Sequence, residues 1–96
     1  MALVDTVRKA LRIKSESFDD EIRMLIDACK IDMDMAGVSV VSEEDPIFTT
    51  ACVHYCKANF GQDNEVNTRE RWEKCYRAIR DSMALSKEYG NNDVQR

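Results

Sequence analysis

Apolar positions recur at helical spacing along most of the chain. Leu3, Val7, Ala10 and Leu11 share one side of a short first helix, and Ile13 adds a core contact after the turn. Ser15-Glu16-Ser17 interrupts the pattern. Ser17 is placed to cap a second helix, with Asp19, Asp20 and Glu21 in its first turn, where the helix dipole favours negative charge. The spacing predicts this helix from Phe18 to Ala36, ended by Gly37 as a left-handed C-terminal residue. Its main stripe is Phe18, Ile22, Leu25, Ile26, Cys29, Met33 and Ala36, which reads as a core face. A second stripe, Met24, Ala28, Ile31 and Met35, lies roughly 140° around the same helix. Charged residues separate the two, with Asp19–Arg23, Arg23–Asp27 and Lys30–Asp34 at ion-pair spacing. Either both stripes are buried inside the subunit, or the second meets another chain.

Val38 to Glu44 is the only candidate for extended structure, a loop or small hairpin arm. Asp45-Pro46 then opens a third helix, Asp as cap and Pro at the first helical position. Between Ile47 and Phe60 the only charged side chain is Lys57, so this helix is expected at the centre of the bundle, with Gly61 ending it. Gln62 to Val66 reads as a polar connection, and Asn67 with Glu70 as a capping-box start for a fourth helix. Trp72, Cys75, Tyr76, Ile79 and Met83 form that helix's apolar stripe. Glu70–Lys74, Glu73–Arg77 and Arg77–Asp81 are spaced to brace its outer side. Periodicity fails from Ser86. The expectation is an all-α fold, a small bundle of about four helices, with residues 1–85 as a single domain and 86–96 as a flexible C-terminal tail.

Composition supports helices over strands, because 96 residues contain three Gly and one Pro. Charge adds a second theme. Fourteen Lys and Arg against eighteen Asp and Glu give a net charge of −4, which disfavours a bulk polyanion as ligand. The signs are also segregated. Arg8, Lys9, Arg12 and Lys14 make the start basic, residues 16–45 carry ten acids against Arg23 and Lys30, and residues 67–80 carry five bases against two acids. Such blocks suit either solvated faces or complementary surfaces for self-association. No stretch has the apolar length to span a bilayer and the opening residues do not resemble a signal peptide, so a soluble, cytosolic product without membrane partners is expected.

Candidate chemistry is sparse. Cys52, His54 and Cys56 fall within five residues, but on a helix His54 points about 160° away from each of the two cysteines. There is no CxxC pair, and all four cysteines sit in apolar stretches, as packing thiols do. His54 is the only histidine, the acids occupy polar arcs, and no phosphate-binding or dinucleotide motif occurs, so neither an enzyme nor a cofactor is expected. A DNA-binding helical module is an alternative, with Arg69, Arg71, Lys74, Arg77 and Arg80 along phosphates. Against it, those bases alternate with Glu70, Glu73 and Asp81, and the connection from Gly37 to Pro46 is too long for a helix-turn-helix. A generic protein-interaction module is a further alternative.

Several short motifs in a fixed order carry more information. Leu11-Arg12-Ile13, Phe18-Asp19-Asp20-Glu21-Ile22, Leu25-Ile26-x-Ala28, Asp45-Pro46, Lys57-Ala58-Asn59-Phe60-Gly61 and Leu85-Ser86-x-x-Tyr89-Gly90 follow one another along nearly the whole chain. In this order the chain resembles the head–tail connector, or adaptor, proteins of long-tailed bacteriophages and prophages. The resemblance implies a non-enzymatic helical subunit of a ring beneath the portal protein. That ring extends the DNA channel in the virion, lets DNA pass without reading it, and offers a docking surface to head-completion or tail proteins. The subunit would be made in the cytoplasm of the bacterial host. For such a ring, Met24, Ala28, Ile31 and Met35 are the expected apolar side of a subunit interface. Arg69, Arg77 and Arg80, or the basic first segment, are expected on the opposing side. Glu43, Glu44 and Asp45 are the expected channel- or portal-facing acids, since an acidic wall would not retain DNA.

Overall fold

Each predicted segment of helical periodicity forms a helix. The computed structural model describes residues 3–39, 42–60, 66–86 and 89–90, with the side chains of residues 66 and 67 excepted. Four α-helices follow in order: α1 (Leu3–Ala10), α2 (Asp19–Met35), α3 (Pro46–Asn59) and α4 (Val66–Leu85), with a 3-10 turn at Glu16–Phe18 leading into α2. No strand occurs among the described residues. α3 packs against α1, α2 and α4, and so occupies the centre its apolar sequence requires. Phe48, Ala51, Cys52 and Cys56 of α3 meet Ile22, Ile26, Cys29 and Met33 of α2, Leu3 and Val7 of α1, and Tyr76 and Met83 of α4 in one continuous core. Phe18 stays at its edge, 37% exposed, with its ring edge-on to Phe60.

Two helices end in the same way. Gly37 has φ 97°, its N–H reaches the Asp34 carbonyl, and the next N–H, of Val38, reaches Met33. This is the Schellman arrangement, closed by apolar contact between the buried Val38 and Met33. α1 ends identically but with Arg12 in the left-handed position, at φ 63°. There the Arg12 N–H reaches Lys9 and the Ile13 N–H reaches Arg8. Helix starts differ from expectation in detail. Ser15, not Ser17, supplies the cap: its Oγ accepts from the Ser17 N–H at the 3-10 turn, and α2 itself starts at Asp19, after Phe18, without a side-chain cap. The intervening turn already supplies a hydrogen-bonded entry, so Ser17 is displaced from the capping position. Asp45 caps α3 as expected, accepting from the N–H groups of Ile47 and Phe48 at 2.8 and 3.1 Å. α4 starts at Val66, one residue before the expected cap. The side chain of Asn67 and the connection through residue 65 lie outside the described residues.

The segment after Gly37 makes one extended pairing, and its partner is distant in sequence. Val38 pairs antiparallel with Gly90, and the Ser39 N–H donates to the Tyr89 carbonyl at 2.7 Å. Tyr89 also donates its hydroxyl to Asp45 at 2.9 Å. Residues 89–90 thus fasten the end of α4 to the α2–α3 connection, within the stretch expected to form a free tail. A Cβ on Gly90 would collide with the carbonyl oxygens of Ala84 and Ser86, so glycine is required for this close return. Residues 40–41 of the expected arm and residues 91–96 of the expected tail lie outside the described residues.

Candidate functional site

The two apolar stripes of α2 have opposite fates. Ile22, Ile26, Cys29 and Met33 are fully buried, whereas Met24, Ile31 and Met35 are 71%, 61% and 77% exposed. Ala28 between them is half-buried. The described residues therefore leave the second stripe uncovered, against the reading in which both stripes pack internally. It runs along the back of α2, away from α3, for about 16 Å at the 1.5 Å rise of a helix. Asp20, Asp27 and Asp34 follow beside it at seven-residue spacing.

Some of the segregated charges are matched within the subunit. Arg8 of the basic start forks onto Asp19 at 2.8–2.9 Å and also holds Asp5. Its hydrogen bond keeps the Asp19 carboxyl below the usual range. Asp19 therefore pairs with α1 and not with Arg23. Arg23 and Lys30 converge on Glu43 instead, and together they hold its carboxyl in the charged form. Of the expected pairs along α2 and α4, Arg23–Asp27 and Glu73–Arg77 form.

On the flank facing α4, Asp32 accepts from the Tyr76 hydroxyl at 2.6 Å and from Arg80 at 3.0 Å, both on one oxygen. Burial works to raise the Asp32 pKa, and the two donors more than offset it. Arg80 also bonds Asp81, so Arg80 is committed inside the subunit, while Arg69 and Arg77 lie on the exposed side of α4. Of the three loop acids, Glu43 is tied to α2 and Asp45 to the α3 cap and Tyr89, leaving Glu44 as the exposed one. Spacing within a helix could not reveal these cross-element pairs. For Arg8–Asp19 and Arg80–Asp32 the signal was the excess of acids in 16–45 facing bases elsewhere in the chain, whereas Glu43 takes its two bases from within that stretch.

The short motifs turn out to occupy the joints of the fold. Arg12 makes the left-handed end of α1, Phe18 packs on Phe60, Asp19 holds Arg8, Asp45-Pro46 begins α3, and Tyr89-Gly90 closes the return onto Val38. The family model described as "Phage connector protein" matches residues 3–90, from the first residue of α1 to this closing glycine. The chain belongs to the phage connector protein family. No curated protein and no solved structure matches it. Membership implies interaction with other components of a phage head or tail.

Two further features complete the connector's surface and interior. An apolar groove of about 450 Å³ lies between the start of α3 and the C-terminal half of α4, with Ile47, Ala78, Ile79, Ser82, Met83 and Tyr89 around it. Sequence periodicity gave no sign of it, because the return of Tyr89 forms one wall. Inside, Cys29, Cys52 and Cys56 are buried free thiols. Contact with Cys52 and burial push the Cys29 pKa far up, as for packing residues. His54 lies on the other side of α3 against Trp72, at 5.1 Å between rings, with Lys57 over the same indole at 4.3 Å. Burial and Lys57 lower the His54 pKa, so the imidazole is held neutral. No helix among the described residues is long and apolar enough to cross a membrane.

Proposed function

We propose that this chain is the repeating subunit of a ring at the phage head–tail junction. The ring sits beneath the portal protein, extends the DNA channel, and gives head-completion or tail proteins their docking surface. The role is structural and non-enzymatic, exercised in the virion after assembly in the bacterial host. The observation that carries the reading is the exposed apolar stripe Met24, Ala28, Ile31 and Met35, in a member of the connector family. A folded subunit with a complete core has no internal use for a second apolar face of this length, and a ring needs one surface of each copy to meet a different surface of the next. Arg69 and Arg77 are exposed candidates for a role at that junction. Glu44 is the loop acid best placed to face the channel or the portal, where negative charge lets DNA slide without being retained.

Deleting the gene from its parent phage tests the assignment. Tailless heads that are filled with DNA or leak it are expected, whereas normal tailed, infectious particles would overturn the connector role.

A further inference from the structure

The ring reading leaves open what receives the α2 stripe, and the groove beside α4 has the matching properties. Tyr76 and Arg80 of α4 both reach Asp32 of α2, so one flank of α4 faces α2. Ala78 and Ser82 are exposed on the other flank and border the groove, with Leu85 exposed at its end. The stripe and the groove therefore lie on different sides of one subunit and do not compete for space.

Their chemistry is complementary. The stripe offers unbranched, adaptable methionines on either side of Ile31, and the groove is lined mainly by Ile47, Ala78, Ile79 and Met83. Asp20 and Asp34 edge the stripe, with Asp27, already paired with Arg23, between them. On α4 the groove flank continues toward the N-terminus, at i, i+4, i+7 and i+11 spacing, through Arg71, Cys75, Ala78 and Ser82, with the exposed Lys74 beside it. An acid-edged apolar ridge thus faces an apolar groove with a basic approach, and opposite charges at the rim would orient the two during encounter.

Building on the ring reading, we infer that the occupant of the α3–α4 groove is the α2 stripe of the next copy of this chain, Met35 and Ile31 seated against Ala78 and Ser82. The contact is head-to-tail, so each copy presents one stripe and one groove.

Two surface variants separate this inference from the reading it rests on. Met35→Glu spoils the stripe and Ala78→Glu spoils the groove. Both positions are exposed, and circular dichroism checks that each variant folds. In sedimentation velocity at high protein concentration, and on tailless heads of the parent phage, wild-type protein is expected to assemble beyond dimers. Each variant alone is expected to stay monomeric. An equimolar mixture of the two should stop at dimers, because the intact stripe of one variant fits the intact groove of the other and nothing can be added at either end. A mixture that remains monomeric, or an Ala78→Glu variant that assembles like wild type, overturns the groove as acceptor while leaving the ring intact. A wild-type protein that forms no oligomer in solution or on heads overturns the ring reading itself.

Discussion

The inner and outer faces of α2 are built from nearly the same side chains. Ile22, Ile26, Cys29 and Met33 disappear completely into the core, and Met24, Ile31 and Met35, two residues away, stand in solvent. Hydrophobicity distinguishes these faces poorly. What separates them is the supply of partners: α3 offers one apolar surface, and a helix can turn only one side toward it. The outer stripe therefore marks a surface the core does not use, and its presence in a connector protein is the reason to look for another chain above it.

The strongest way to break this contrast is to place a charge opposite the inner face. Cys52→Asp on α3 buries a carboxylate without a partner, and a loss of several kcal/mol, on the order of the whole stability of a small domain, is expected as loss of the folded state in urea titration. A fully folded Cys52→Asp protein would show that α3 is not the centre of the bundle.

The contrast is measured directly by paired truncations on one helix. Ile26→Ala should lose about 2–5 kcal/mol, and Ile31→Ala about 0.5 kcal/mol or less, read from the same urea titrations. Equal losses would mean that the outer stripe is covered in the isolated subunit.

On the flank between the two faces, Asp32 is predicted to matter by an intermediate amount. Asp32→Ala removes the acceptor for Tyr76 and Arg80 and should cost about 1–2 kcal/mol at neutral pH. Its depressed pKa fixes the pH dependence. Stability from this carboxylate is fully present above the unfolded value near ~4 and is lost as pH falls through the lower folded value. Glu43, Asp45 and Asp19 shift the same way, so wild type weakens in acid, and Asp32→Ala should show a shallower decline between neutral and acidic urea titrations.

The smallest effect tests the far end of α2. Tyr89→Phe deletes the hydroxyl bond to Asp45 and should cost about 1 kcal/mol or less. Faster amide exchange at Ser39 and Gly90, with the inner face of α2 still protected, is the expected hydrogen-exchange signature.

Much of this architecture was legible from local rules. Apolar spacing located four helices, Gly37 and Asp45-Pro46 marked two of their boundaries, and the near-apolar composition of α3 placed it at the centre. The unexpected features are those that depend on residues far apart in sequence. Arg8 to Asp19, Lys30 to Glu43, Arg80 to Asp32 and Tyr89 to Asp45 are chosen by how helices lie against one another, which no single helix's periodicity encodes. Arg12 in a left-handed conformation was equally hidden, since glycine is the usual marker of such an end. The outer stripe was visible as a pattern, but its exposure became evident only once the neighbours of α2 were in place.

The pairing of Val38 with Gly90 also dictates an order of events during synthesis. The chain emerges from the ribosome N-terminus first, so α1 and α2 can meet early, whereas α3 makes most of its contacts with α4 and completes its packing only when α4 is available. The connection after α2 must then wait, with the Ser39 N–H lacking its carbonyl partner, until Tyr89 and Gly90 have cleared the exit tunnel. Closure of the subunit thus waits on residues 89–90, and a chain cut short before Tyr89 would keep the core residues of α1 to α4 with its closing latch still open.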